Sequence, residues 1–141
     1  MTTLYTRGGA LSILTHSPSA DVRAFAEALL ADLPAVTVLL NRTGLVMLPY
    51  TDTTQGTVFY LGEVLVSEAR VQLGEVEGYA MVIGRDTLQA LAIAILDAAY
   101  ASGLHKSAIL AFLNAQAAAQ RGADERLLRQ VQATRVEMET F

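Results

Sequence analysis

The tripeptide Gly84-Arg85-Asp86 combines residue types that bind phosphate groups. It lies where a predicted β-strand, residues 79–83, meets a predicted helix. The first N–H groups of a helix bind anions at its positive dipole end, and an arginine beside them adds paired hydrogen bonds to a phosphate. A second interpretation needs no ligand: Gly84 turns the chain, Asp86 caps the helix and Arg85 pairs with a carboxylate. The sequence leaves both interpretations open.

The sequence contains few residues or motifs that could perform other catalytic chemistry. Cysteine is absent, which excludes thiolate catalysis, disulfides and cysteine-bound metals. The two histidines, His16 and His105, lie far apart in the sequence, and ordinary surface or capping roles are favoured over general-base roles. The sequence carries no Walker loop, dinucleotide-binding fingerprint, nucleophile elbow or helical zinc pair. We therefore assign no catalytic residue and expect no metal site.

Composition narrows the class of protein. With 141 residues, of which 52% are hydrophobic, the chain is expected to form one domain over residues 1–141. A net charge of −4 argues against a nucleic-acid surface. The most apolar stretch, residues 88–101, is shorter than the roughly 20 residues that span a membrane. We expect a cytoplasmic protein. The mean hydropathy of +0.37 predicts that some apolar surface faces another subunit.

The elements that position these residues follow an α+β pattern. Residues of about 35–83 are rich in β-branched and apolar residues joined by short turns, which predicts an antiparallel β-meander. An N-terminal helix precedes the meander and three helices follow it. The expected strands are 35–40, 45–48, 57–61, 64–73 and 79–83, with a hairpin-like loop at 41–44. The expected helices are 18–33 (with a weaker short helix at 11–16), 87–102, 105–120 and one beginning near 124.

Capping residues set the expected ends of these helices. Ser17 is expected to cap the N-terminal helix with Pro18 at its first position, and Pro34 to stop it. Asp86 is expected to cap the next helix, which Gly103 ends.

The end of the sequence is more apolar than a free terminus usually is. Residues 132–141 include Val136 and Phe141, which dock either on this chain's own core or on a partner. The high mean hydropathy favours a partner. We therefore assign Arg135, Val136 and Phe141 to a subunit contact.

Several ordered blocks of the sequence resemble the PhnG family, the small subunit of the bacterial carbon–phosphorus lyase system for phosphonate breakdown. The resemblance covers roughly residues 10–140. The blocks that carry it are TGLVM at 43–47, FYLGEVLVSEARVQL at 59–73, GYAMVIGRD at 78–86 and TRVE at 134–137.

The resemblance implies a role in an assembly with the H, I and J subunits. With the H and I subunits, the resemblance implies transfer of the ribose 5-triphosphate moiety of ATP to a phosphonate with release of adenine, and the J subunit is expected to cleave the carbon–phosphorus bond later. ATP and the phosphonate are thus substrates of the complex, and this chain is expected to bind no cofactor and to be non-catalytic by itself. If the chain touches substrate, Arg85 is the first candidate for holding phosphate charge, with Arg42 and Arg70 as weaker ones.

Two other functions remain open at this stage. One is a free-standing homodimer that binds a small anion, which predicts a stable self-dimer of the isolated chain. The other is an autonomous hydrolase, which the thin supply of nucleophiles and bases disfavours.

Overall fold

The computed structural model describes residues 4–135. Within them the chain forms four helices and a three-stranded antiparallel sheet of order β1-β2-β3, so the expected α+β class and β-meander are confirmed. No helix in this part of the chain is long and apolar enough to cross a membrane. The elements are α1 Arg7–Thr15, α2 Ser19–Leu30, β1 Val36–Thr51, β2 Val58–Leu73, β3 Val76–Ile83, α3 Thr87–Ser102 and α4 Lys106–Ala133.

The first two strands are longer than the sequence predicted. The expected loop at 41–44 is wrong, because Asn41, Arg42, Thr43 and Gly44 pair in register with β2 and belong to one continuous β1. Their backbone N–H and carbonyl groups are hydrogen-bonded by pairing with β2, so the chain continues as a strand instead of turning. The expected strands 57–61 and 64–73 likewise join into β2. The hairpin turn lies at 52–57, where the Asp52 N–H donates to the carbonyl of Thr57 at 2.8 Å.

The helices also differ in number and extent. Two helices follow the sheet instead of the expected three, because residues 105–120 and the segment from 124 onward form the single helix α4. Gly122 keeps a helical backbone there, at a cost of about 1 kcal/mol relative to alanine.

Two helices precede the sheet. Ser17 does not cap α2; its hydroxyl donates to the carbonyl of Ile13 at 2.7 Å, and α2 ends at Leu30, before Pro34.

Helix α3 forms the centre of the fold. It contacts every other helix and strand, with the inner face of the sheet on one side and α1, α2 and α4 around the rest. The expected ends are confirmed: the Asp86 carboxylate caps the first turn, and Gly103 ends the helix with a left-handed φ of 76°. Its buried residues are Gln89, Ala90, Ala92, Ile93, Ala94, Ile95, Leu96, Asp97, Ala98 and Ala99.

Gly78 lets β3 lie directly against α3. A Cβ at this position would stand 2.1 Å from the carbonyl oxygen of Ala94 and 2.8 Å from the Cβ of Ala98. Neither the helix backbone nor the alanine methyl can move aside without shifting α3 as a whole. Alanines line the facing side of the helix, so the two backbones approach closely with small residues on both sides.

A buried carboxylate fixes the same contact. Asp97 on α3 accepts two hydrogen bonds from Arg7, at 2.8 Å to Nε and 2.9 Å to Nη2. It also accepts one from the backbone N–H of Tyr79 at 3.0 Å. Arg7 in turn donates to the carbonyl of Glu77. The hydrogen bond with Asp97 raises the pKa of Arg7 above its usual value. One carboxylate therefore joins α1, α3 and β3.

Replacing Gly78 tests this contact. We expect Gly78→Ala to lower the free energy of unfolding by about 3 kcal/mol, because the added methyl overlaps the backbone of α3. Gly44→Ala is the matched control, since no atom lies within 4 Å of the Cβ that it adds to β1. Urea unfolding of both variants measures the difference. Equal stability of the two variants would contradict the close contact.

Candidate functional site

The junction at 84–86 is held by a chain of hydrogen bonds around Asp86. One oxygen of its carboxylate, Oδ1, accepts from the backbone N–H of Gln89 at 3.0 Å, and the other accepts from the hydroxyl of Ser19 at 2.6 Å. The Asp86 N–H donates to the hydroxyl of Ser67 at 2.9 Å, and that hydroxyl donates to the carbonyl of Gly84 at 2.8 Å. The junction therefore ties α2, β2 and α3 together.

Gly84 makes the turn from β3 into α3. Its φ of 98° lies in the region that favours glycine, and its N–H donates to the carbonyl of Leu65 at 2.8 Å. This bond closes the β2–β3 ladder at the point where β3 ends.

The carboxylate of Asp86 already occupies the anion-binding end of α3. The hydrogen bond from Ser19, followed by the one from the Gln89 N–H, lowers the pKa of Asp86 below its usual value. A bound phosphate would therefore meet a negative charge at this helix end. The Arg85 side chain is exposed and forms no ion pair with any residue in 4–135. The geometry favours the capping interpretation, and phosphate binding by Gly84, Arg85 and Asp86 stays a prediction.

A second polar cluster lies on the outer face of the sheet. The Arg42 Nε donates to Glu68 at 2.8 Å, and the Tyr79 hydroxyl donates to the other oxygen of the same carboxylate at 2.7 Å. The hydrogen bond from Tyr79, then that from Arg42, lowers the pKa of Glu68. Burial, then the bond to Glu68, raises the pKa of Tyr79. Arg42 is thus already paired, which leaves Arg70 as the less engaged of the two weaker anion candidates.

The other residues singled out in the sequence do not come together. His16 lies at the end of α1, where its Nδ1 is 2.7 Å from the carbonyl of Ser12. His105 lies just before α4 with its Nε2 3.3 Å from the carbonyl of Asp32. Arg135 is exposed just after α4, and Val136 and Phe141 lie outside the described residues. No group of three or more acidic or histidine side chains placed to hold a metal occurs within 4–135.

One surface that sequence reasoning missed carries nine of the exposed large apolar side chains within residues 4–135. Strand β3 reaches only as far as Val66 on β2, so residues 45–65 continue beyond the sheet as a two-stranded ribbon, here called the hairpin arm. Leu45, Tyr60 and Leu61 are 62%, 61% and 65% exposed. The signal in the sequence was the lack of alternation at 45–48 and 58–61. The arm's exposed apolar residues are Leu45, Val46, Met47, Leu48, Tyr50, Val58, Phe59, Tyr60 and Leu61.

Comparison with known proteins identifies the family. Residues 5–141 match a family described as "Phosphonate metabolism protein PhnG". The chain belongs to the PhnG family. One curated relative in this family is the "Alpha-D-ribose 1-methylphosphonate 5-triphosphate synthase subunit PhnG" of Rhizobium meliloti (strain 1021), which is 38% identical over 101 residues. The match spans 70% of this chain but only 64% of the relative's length.

Three of the four sequence blocks that resemble the PhnG family fall on two parts of the structure, while the fourth, TRVE, begins just after α4 and extends past the described residues. TGLVM and the start of FYLGEVLVSEARVQL lie in and beside the hairpin arm. The rest of that block and GYAMVIGRD form the paired β2 and β3 and the junction into α3. In this PhnG-family chain these three blocks therefore mark the arm and its anchorage to α3.

The pH dependence of stability tests the role of Asp86. Because its pKa is lowered in the folded chain, ionised Asp86 stabilises the fold above about pH 4, and this stabilisation is lost as the pH falls through the folded pKa. Asparagine caps a helix nearly as well but does not titrate. We expect Asp86→Asn to lose less stability than the wild type between pH 7 and pH 3 in urea unfolding.

Asp86→Ala is the control, since it removes the cap at every pH and costs about 1 kcal/mol at pH 7. An Asp86→Asn variant whose stability falls with pH as steeply as the wild type would contradict this role.

Proposed function

We propose that this chain is an accessory subunit of a cytoplasmic synthase that forms ribose 1-phosphonate 5-triphosphate. The synthase joins the ribose 5-triphosphate moiety of ATP to a phosphonate and releases adenine, as part of the carbon–phosphorus lyase system. The partners are its H and I subunits, with the J subunit in the larger core. Membership of the PhnG family and the printed name of the relative support this proposal.

The hairpin arm is the observation that carries the proposal. A two-stranded ribbon is marginally stable in water unless another surface covers it. The arm's 21 residues include only two charged side chains, Asp52 and Glu63, so little on the arm itself keeps it in solvent. An exposed, weakly charged and aromatic-rich surface is typical of a subunit interface. The arm is therefore the contact through which this chain joins the synthase.

The groups that perform the transfer come from another subunit in this proposal. His16 and His105 lie on different elements, at the end of α1 and before α4. The single lysine, Lys106, stands 5.9 Å from the centre of the Tyr100 ring. A nucleophile, a base and an orienting group must lie within hydrogen-bond reach of one another to act together. This chain's contribution is to hold the assembly in its active arrangement.

Two substitutions in the arm test this contact. We expect Tyr60→Thr with Leu61→Thr to weaken association with the I subunit at least about thirtyfold, because two exposed apolar side chains lose their burial on binding. Threonine keeps the β propensity of the arm, so the isolated chain should retain its stability. Size-exclusion chromatography with light scattering of the co-expressed proteins gives the mass and ratio of the complex.

Leu30→Gln with Leu88→Gln is the matched control, since both leucines are exposed but lie on α2 and α3. This variant should co-elute with the I subunit in the same ratio as the wild type does. Equal association of the arm variant and the wild type would overturn the proposed contact. A stable self-dimer that ignores the I subunit would instead favour the homodimeric anion-binding module.

The phosphate role of Arg85 has its own test in the assembled complex. We expect Arg85→Gln to raise the KM for ATP by about tenfold without changing the mass of the complex, because one charged hydrogen bond to the triphosphate is lost. Arg121→Gln, an exposed arginine on α4, is the control. An unchanged KM in the Arg85 variant would show that the junction at 84–86 serves only as a cap.

A further inference from the structure

Along the outer edge of β3, an outward backbone group at each of residues 77 and 79 is hydrogen-bonded, whereas those at 81 and 83 have no partner within residues 4–135. The Gly84 N–H donates to Leu65, and in an antiparallel ladder the paired positions alternate. With Ile83 opposite Val66, the residues that point their backbone groups away from β2 are 77, 79, 81 and 83. At 77 and 79 one outward group of each residue already has a partner, since Arg7 donates to the Glu77 carbonyl and the Tyr79 N–H donates to Asp97.

The edge groups of Met81 and Ile83 have no such partner. No residue within 4–135 hydrogen-bonds to their outward N–H or carbonyl groups. The Ile83 side chain is 82% exposed. This short stretch contains no proline, charge or bulge, the features by which proteins usually keep an edge strand from pairing. The opposite edge differs, since β1 has register shifts at 38–40 and at 48–49 and carries Pro49.

A pocket of about 310 Å³ lies beside the open stretch. Gln89 lines it from α3, and although this residue is only 9% exposed, its side-chain amide forms no hydrogen bond with any described residue. The amide atoms are not fully enclosed by the protein, so their donors and acceptor are open to the pocket and available to a ligand. The remaining lining residues are Thr15, His16, Met81, Val82 and Ile83.

His16 offers the pocket a second polar group. The carbonyl of Ser12 can only accept, so the Nδ1 atom of His16 donates to it at 2.7 Å. The Nε2 atom has no hydrogen-bond partner among residues 4–135. The pocket thus presents an amide and an imidazole nitrogen beside two unpaired strand residues.

We propose that the β3 edge at residues 81–83 binds an extended peptide segment of another synthase subunit, which adds as a fourth strand. The segment pairs with the backbone of Met81 and Ile83 and places one amide or hydroxyl side chain in the pocket, against Gln89 and His16. The source of the segment rests on the proposed function.

A second copy of the chain fits this edge poorly. A two-fold pairing of β3 with β3 about Val82 would bring residue 79 opposite 85, and the edge at Tyr79 is already closed by Asp97. Only residues 81–83 of each copy would then pair. A peptide from another subunit has no such symmetry constraint and can run on past the end of β3 over the pocket.

Amide hydrogen exchange tests this site in the intact chain. We expect the Met81 and Ile83 amides to exchange rapidly in the chain alone and at least about a hundredfold more slowly in the complex co-purified with the H and I subunits. The Val82 amide, which faces β2, is the internal control and should be protected in both samples.

A proline variant removes the edge donor alone. Ile83→Pro deletes an N–H that points away from β2, a position where an edge strand accepts proline, and Ile83→Thr loses the same side chain but keeps the N–H. We expect about tenfold weaker association for the proline variant and at most twofold for the threonine variant. Thermal unfolding checks that both fold as the wild type does.

The outcomes separate this inference from the proposed function. If no complex forms with the H and I subunits, the proposed function falls and this inference with it. If the complex forms but the Met81 and Ile83 amides stay fast, strand addition is overturned and the proposed function stands. Protection that appears in the chain alone and rises with its concentration would assign the edge to a second copy and also overturn the inference.

Discussion

The close contact between β3 and α3 is what the other parts of the structure depend on. It exists because Gly78 has no side chain to hold the strand away from the carbonyl of Ala94. At this distance the Tyr79 N–H donates to the carboxylate of Asp97. The same carboxylate also accepts hydrogen bonds from Arg7, which holds α1 against α3. Asp97 is buried while Arg7 is half-exposed, so loss of the Arg7 side chain would leave a buried carboxylate with fewer hydrogen bonds.

The sequence predicted most of the elements because their signals are local. Asp86 and Gly103 marked the ends of α3, and the β-branched and apolar runs joined by short turns over 35–83 marked the meander. The errors arose where a distant partner outweighed a local signal. The turn-forming residues at 41–44 became strand because β2 pairs with them along their whole length. Gly122 did not break α4, since the alanine, glutamine and arginine around it favour helix more than one glycine opposes it.

The candidate site was only partly predictable for the same reason. Sequence reasoning found the junction at 84–86 and its capping aspartate, but not Ser19, which lies 67 positions away and shares that carboxylate. The lack of alternation at 45–48 and 58–61 was a local signal of the hairpin arm, but its exposure depends on β3 ending opposite Val66, which that signal does not show. The PhnG resemblance, by contrast, rested on ordered blocks, and comparison with known proteins confirmed it.

The position of Asp97 in the chain sets an order of events during synthesis. The hairpin arm, residues 45–65, leaves the ribosome before the helix that anchors β2 and β3 has been translated. Neither Arg7 nor Tyr79 can find its carboxylate until residue 97 has emerged. The nascent chain therefore displays a nearly uncharged, aromatic ribbon before its core exists, the kind of segment that aggregates or recruits a chaperone.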